Sequence, residues 1–498
     1  MSRWCSNQLS YVPVDGRAFY GLALACQHLF SANRLKKMIF PIRAGFRRAS
    51  RGKSAPVASI RRRIFGTGSR TMANTDYPLS YYAASAHPAP ERPELIGEAE
   101  TDVCIVGAGY TGLSTALFLL ENGFRVIVLE AARVGFGASG RNGGQIVNSY
   151  SRDIDVIERS LPAEQARRIG EMAFEGGRIL RELVARHDIR CDLKDGGVFA
   201  AFTPRQMAHL EAQKKLWERY GHTRLELLDA RRIREVVASE RYVGGMLDMT
   251  GGHIHPLNLA LGEAAAVESL GGVIHEQSPA VRIERGANPL VHTPQGRVRA
   301  KFVVLAGNAY LGDLVPELAA KSMPCGTQMI ATEPLGEELA ASLLPQDYCV
   351  EDCNYLLDYY RLSADRRLVY GGGVIYGARD PQDIEAIIRP KMLRTFPQLQ
   401  KVKIDYAWTG NFLLTLSRLP QVGRIGDNLY YSQGCSGHGV TYTHLAGRLL
   451  AEALRGQAER FDAFAALPHY PFPGGRLLRV PFTALGAWYY TLRDRLGV

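Results

Sequence analysis

Thr101-Asp-Val-Cys-Ile-Val-Gly-Ala-Gly-Tyr-Thr-Gly-Leu113, continued by Phe124-Arg-Val-Ile-Val-Leu-Glu130, is the stretch whose reading decides the fold. Asp102–Val106 is a short apolar run of the kind that forms a strand buried in a parallel sheet. The glycines 107, 109 and 112 follow at once. Helical apolar spacing then runs from Leu113 to Glu121 and stops at Asn122-Gly123, a helix C-terminal signal. Phe124–Leu129 reads as the next strand and Glu130 closes it. Together these make a βαβ unit of about 30 residues. Gly107 permits a tight turn, Gly109 leaves room for a pyrophosphate, and Gly112 lets helix and strand pack closely. Tyr110 and Thr111 open the helix, whose free N–H groups and partial positive charge face the phosphates. Glu130 is placed to accept hydrogen bonds from the adenosine ribose hydroxyls. NAD and FAD both satisfy this unit.

Outward from it, Gly135-Phe-Gly-Ala-Ser-Gly-Arg-Asn-Gly-Gly144 is a glycine-rich loop directly after the ribose acid, suited to a second approach of backbone to phosphate or to a flavin ring. Residues 155–235 are helical and charged, broken by a strand at Gly196–Phe202. His255-Pro256 leads into a helix over Leu257–Leu270. Val273–His275, Ala280–Ile283 and Lys301–Asn308 read as strands. Tyr355–Leu362 and Arg367–Tyr370 flank Ser363–Arg366 as a hairpin. Helix returns at 383–396, and Asn428–Ser432, a glycine-rich turn and a helix over Thr441–Leu454 close the core. The turn Gly434-Cys-Ser-Gly-His-Gly439 again aims backbone N–H groups at an anion. Ser436 and His438 lie too close in one turn for a Ser–His relay, and the last position of G-x-S-x-G is not glycine.

The chain has 498 residues, 46% hydrophobic and 22% charged, the balance of a globular protein. Its formal net charge of +11 is not a nucleic-acid signal. Residues 1–71 hold 14 Lys and Arg against the single acid Asp15, whereas the remainder holds 46 basic and 48 acidic residues. The apolar run Phe19–Phe30 is too short to span a bilayer. This leader reads as a transit peptide, a secretory signal or the product of a start displaced to Met72, and the third is preferred because 1–71 has no sustained periodicity. Cys349 and Cys353 are the only close cysteine pair and cannot complete a zinc site, so reduced thiols in the cytoplasm are expected. His253 and His255 have no third ligand at useful spacing and are read as structural, with no metal.

Gly107–Gly112 with Glu130, then Gly137–Gly144, Trp408-Thr-Gly410 and Gly437-His-Gly439, resemble the D-amino-acid-oxidase-like FAD oxidoreductases, over essentially all of 76–498. Ser149–Asp155, Cys349–Arg361 and His469–Gly475 are similar to a subfamily, the γ-glutamylputrescine oxidoreductases and γ-glutamylpolyamine oxidases. The resemblance implies an α/β fold, a Rossmann-like FAD domain with a second, mixed-sheet substrate domain. It implies FAD contacts at Ala138, Ser139, Gly140, Arg141, Asn142, Gly143, Gly144, Val281, Gly307, Ser436, Gly437, His438, Gly439 and Val440, beside the residues of the βαβ unit. It implies oxidation of the free primary amine of a γ-glutamyl-capped polyamine to an aldehyde, with ammonia and hydrogen peroxide released and oxygen as acceptor. The alternatives are an N-methyl amino acid or other small amine as substrate, or a flavin-binding electron-transfer subunit.

The expected organisation is a leader 1–71, an arm 72–96, an FAD domain from 97–150, 250–320 and 400–465, a substrate domain from 151–249 and 321–399, and a tail 466–498. The chemistry asks the pocket to attract a cation and dock a carboxylate, since flavin N5 takes the hydride. The acidic, aromatic stretch from Glu351-Asp352 to Tyr360 suits the cation; Arg361 or Arg418 suits the carboxylate. Alternation along the hairpin strand puts Tyr355, Tyr359 and Arg361 on one face and Asp358 on the other. Trp408 completes the substrate candidates, with Arg361 favoured for the glutamyl end.

Overall fold

The computed structural model describes residues 76–377 and 379–496; the leader 1–71 lies outside them. The apolar runs named above assemble a largely parallel sheet in the order Gln421–Ile425, Leu429–Gln433, Gly296–Leu305, Gly97–Val106, Val126–Leu129, Val273–His275. Gly97–Val106 sits between parallel partners on both sides, which is why its residues 103–105 are wholly buried and apolar. The helix Tyr110–Leu120 packs on this sheet and against a late helix, Gly439–Leu454. They approach closely at Gly447, where an added Cβ would lie 2.2 Å from Ser114 Oγ.

A second, nine-stranded sheet is mixed. Its order is Ile404–Thr415, Ser322–Thr332, Leu368–Tyr376, Asp358–Leu362, Cys349–Asp352, Lys194–Ala201, Gly244–His253, Gln145–Ile146, with Leu225–Leu228 beside Gly244–His253. Only Cys349–Asp352 with Lys194–Ala201 is parallel. The two sheets share one core: Val103 and Ile105 of the first belong to the same apolar cluster as Met329, Val369 and Trp408 of the second.

Three boundaries differ from the expected organisation. Ile404–Thr415 pairs along its length with Ser322–Thr332, so the second sheet, not the first, receives the start of 400–465. The arm is not a loose approach. Ser80 caps a short helix, Tyr81–Ser85, and Tyr82 is fully buried. The tail forms a helix, Gly475–Leu496; Phe472 before it is buried against Met323 and Leu414, and Arg479 donates to the carbonyls of Ala319 and Ser322. Tyr81–Ser85 is too short for a periodic signal and Gly475–Leu496 is interrupted by Pro481, so local pattern did not reveal that tertiary contacts hold these segments.

Candidate active site

The site begins at the βαβ turn. Gly107 adopts φ +110°, where side chains are disfavoured, and its N–H donates to Leu129 O at 2.8 Å. A Cβ at Gly112 would lie 1.9 Å from the Gly107 carbonyl oxygen and 3.2 Å from Ile105 Cγ2. A Cβ at Gly109 would meet Ser139 Oγ at 2.7 Å, the same hydroxyl that accepts the Tyr110 N–H at 3.0 Å. The glycine-rich loop therefore lies directly on the helix N-terminus, and loop and helix form one cradle for an anion. Glu130 accepts from the amides of Ala108 (2.8 Å) and Ala132 (3.0 Å), which sets its carboxylate beside that cradle. Burial raises its pKa. Gly307 abuts the turn, its Cα 3.2 Å from where a Gly107 Cβ would be. Val281 is exposed at the sheet margin and its N–H is taken by His292 O.

The loop is held internally by its own side chains. Ala138–Gly140 makes a turn of 3-10 helix, and Asn142 donates to Ala138 O and Ser139 O while accepting the Gly144 N–H at 2.7 Å. Arg141 turns outward: its guanidinium stacks over Phe136 and donates to Tyr310 OH at 2.8 Å, so its side chain does not enter the phosphate cradle. Its carbonyl accepts Trp408 Nε1–H at 3.1 Å. At the far side, Ser436 (φ +53°) and Gly437 (φ +111°) shape the turn before the Gly439–Leu454 helix. Gly437 is open, Val440 is buried, and His438 contacts Ser149 O at 3.4 Å. Ser436 Oγ donates to Gly434 O, so no Ser–His relay exists. Burial lowers the His438 pKa to about 4, which keeps the ring neutral at pH 7.

Above the loop lies the second sheet. Tyr359 lies on Gly143, whose Cβ would sit 2.7 Å from the ring, and its phenol bonds Thr327 at 2.8 Å. Arg361, on the same face, is buried. It donates to Gly143 O (2.8 Å), Leu362 O (3.0 Å) and Tyr82 OH (3.1 Å). All three of its nitrogens already donate within the protein and the side chain is buried, so the expectation that it docks a substrate carboxylate gives way to a role in holding the loop. Trp408 is buried against Tyr82, ring centroids 5.2 Å apart, and likewise supports the loop. Asp358 points to the opposite face, where Lys391 Nζ binds it at 2.6 Å; it is not a partner for a substrate cation. Tyr355 precedes the strand and so escapes its alternation; Arg418 donates to its hydroxyl at 2.7 Å and stacks over its ring. Among the described residues no carboxylate pairs with Arg418. His255 accepts the Asn258 N–H and thereby caps a helix, a structural role.

Tyr82 is the residue that sequence reasoning missed. No periodicity marks it, and Ser80, a residue type that caps helices, is the one local signal that could have pointed to it. Tyr82→Phe is expected to cost about 1 kcal/mol through the lost Arg361 bond while FAD is retained. Denaturant unfolding followed together with flavin absorbance checks both halves.

The model for the DAO family, FAD dependent oxidoreductases, matches residues 102–453. This chain is a DAO-family FAD-dependent oxidoreductase. It is 65% identical over 425 residues to γ-glutamylputrescine oxidoreductase of Escherichia coli K12, covering 85% of this chain and 100% of that one. It is 40% identical over 431 residues to the probable oxidoreductase OrdL of Haemophilus influenzae, covering 85% and 99%. Glycine oxidase of Geobacillus kaustophilus has the same fold, with TM-score 0.61 at 20% identity over 72% of this chain and 95% of that one. L-proline dehydrogenase of P. horikoshii does too, with TM-score 0.62 at 18% identity over 81% and 99%. The oxidoreductase's cradle fits FAD: Gly109, whose Cβ would crowd it at Ser139, a helix N-terminus, a hydroxyl and a flanking carboxylate. No described helix is long and apolar enough to cross a membrane.

Proposed function

We propose that this oxidoreductase oxidises the free primary amine of γ-glutamylputrescine, giving the aldehyde and ammonia, with oxygen as the final acceptor and hydrogen peroxide as its product. The observation that carries the reading is the 65% identity to γ-glutamylputrescine oxidoreductase along that protein's full length. Bound FAD supplies a two-electron acceptor for the hydride. In this reading Gly107, Gly109, Gly112 and Ser139 hold its pyrophosphate, Glu130 its ribose, and the turn Ser436–Val440 meets the other end of the cofactor. The protein's remaining task is to orient an aliphatic chain charged at both ends. Arg418, half-buried beside Tyr355 and without an acidic partner among the described residues, takes the glutamyl carboxylate. We place the reaction in the cytoplasm, in polyamine breakdown; the free thiols of Cys104, Cys191, Cys325, Cys349, Cys353 and Cys435 suit a reducing compartment.

The direct test is peroxide release under air. γ-Glutamylputrescine should give peroxide and putrescine very little; flavin bleaching without peroxide would identify an electron-transfer subunit instead. Arg418→Ala should raise KM for γ-glutamylputrescine about ten- to a hundredfold, the usual loss for a charge-assisted contact, and leave the slow turnover of putrescine unchanged. Steady-state kinetics on both substrates check it, and equal losses would remove Arg418 from the carboxylate site.

A further inference from the structure

The sheet face that carries Tyr359 carries one more side chain, which the FAD cradle does not use. Glu351 lies directly opposite Tyr359 in the antiparallel pair, so both project to the same side, toward the Gly143 loop. Glu351 also lines a small cavity, with room for about one water-sized group. Gln145, Asn148, Phe199, Asp248 and Cys349 line it too.

The two carboxylates of that cavity differ in kind. Asp248 is saturated: it accepts from Asn148 Nδ2 at 2.7 Å, from the Thr250 amide and hydroxyl, and faces His222 Nε2 at 3.1 Å. Glu351 has no hydrogen-bond or ion-pair partner among the described residues. Leaving a carboxylate unpaired in a half-buried site is costly, and such groups are held for a ligand or a proton. The neighbouring charged and titratable groups do not neutralise it. Cys349 gives its thiol to Gly252 O, Tyr359 is bound to Thr327, Arg361 is spent on Gly143, Leu362 and Tyr82, and Asp352 adds like charge.

We propose that Glu351 receives the ammonium group of the substrate, pairing with it and then taking one proton from it. This rests on the functional reading above. The step balances: R–CH2–NH3+ and the Glu351 carboxylate become R–CH2–NH2 and the carboxylic acid. The neutral amine can then lose hydride from its adjacent carbon to the bound flavin. Water hydrolyses the resulting iminium to aldehyde and ammonium, and the Glu351 proton returns to solvent. Burial and the charge of Asp352 push the Glu351 pKa up to about 8, a value matched to such an exchange near neutral pH.

The test compares the FAD-loaded wild type with Glu351→Gln and Glu351→Asp, at equal flavin content. For Glu351→Gln, KM for γ-glutamylputrescine should rise about ten- to a hundredfold. The wild-type rise of kcat/KM with pH through the region near 8 should disappear, and Glu351→Asp should restore part of both. The inhibitor γ-glutamyl-n-butylamide, net neutral and lacking only the terminal ammonium of the substrate, should bind wild type and Glu351→Gln equally. An activity-independent readout is the perturbation of the flavin spectrum by n-butylammonium, whose Kd should rise at least about tenfold in Glu351→Gln. An unchanged Kd and pH profile, or equal weakening of the neutral inhibitor, overturns the assignment. A wild type inert toward γ-glutamylputrescine strikes the functional reading, while the n-butylammonium titration still decides Glu351.

Discussion

Gly112→Ala is expected to yield a protein with essentially no bound FAD. The added methyl carbon would lie 1.9 Å from the Gly107 carbonyl oxygen, a backbone atom that no rotamer change can move. Relief requires the Tyr110–Leu120 helix to retreat from Gly97–Val106, or the Gly107 turn to open. The turn cannot open cheaply, because Gly107 is itself within 3.0–3.2 Å of Ala306 and Gly307 by the same measure. Overpacking of this sort costs about 1–3 kcal/mol or more, and here the whole distortion falls on the helix N-terminal N–H groups proposed to hold the pyrophosphate. The Kd for FAD should rise more than about tenfold, since a loss of 1.4 kcal/mol in cofactor binding is already a factor of ten, and the flavin should be lost once free FAD is removed. Gly123→Ala is the control. Unlike Gly112 it has positive φ (+80°), but nothing lies within 4 Å of its Cβ, so it should lose only backbone energy and stay yellow. A yellow Gly112→Ala protein with one flavin per chain would show that the cradle is not built on this contact.

The same contact explains how much of the molecule was legible in its sequence. A βαβ turn is a local object: strand, glycines, helix and terminal acid are contiguous, and each residue's role follows from backbone geometry alone. Gly107 makes the tight turn and Gly112 the close helix–strand contact that this argument asks for, and Glu130 ends the second strand with its carboxylate on the Ala108 amide. Alternation along Asp358–Leu362 was equally local, and it separated Tyr359 and Arg361 from Asp358. What alternation cannot supply is the identity of the group across the gap. Arg361 faces a backbone carbonyl and a tyrosine 279 residues earlier in the chain; Asp358 faces Lys391 on a later helix. Both meetings depend on non-local packing. Tyr355 escaped the pattern because the strand starts only at Asp358. Glu351 was seen only as part of an acidic stretch; its distinction from Asp352 needed the register with Tyr359.

Arg361→Ala therefore carries a different expectation from that of a substrate-binding arginine. Its guanidinium holds Gly143 O at 2.8 Å and Leu362 O at 3.0 Å, and reaches Tyr82 OH at 3.1 Å. Truncation leaves buried carbonyls without donors, at about 1–3 kcal/mol each, and opens space beside Gly144. A Cβ at Gly144 would stand 2.7 Å from Arg361 Nη2, which shows how closely the guanidinium braces that residue. The expected total is a destabilisation of about 3–5 kcal/mol, with FAD bound more weakly because the Ser139–Gly144 loop loses its brace. Arg361→Lys should recover little, since a single ammonium cannot reproduce a planar fork aimed at three separate acceptors. Turnover of γ-glutamylputrescine and of putrescine should fall by the same factor, in step with flavin content, and excess FAD should restore part of both. Thermal unfolding and flavin occupancy measured beside kinetics on the two amines separate this from a substrate contact. If KM rose for the glutamylated amine alone, in protein of normal stability and full flavin content, Arg361 would be a carboxylate ligand and the loop would need another brace.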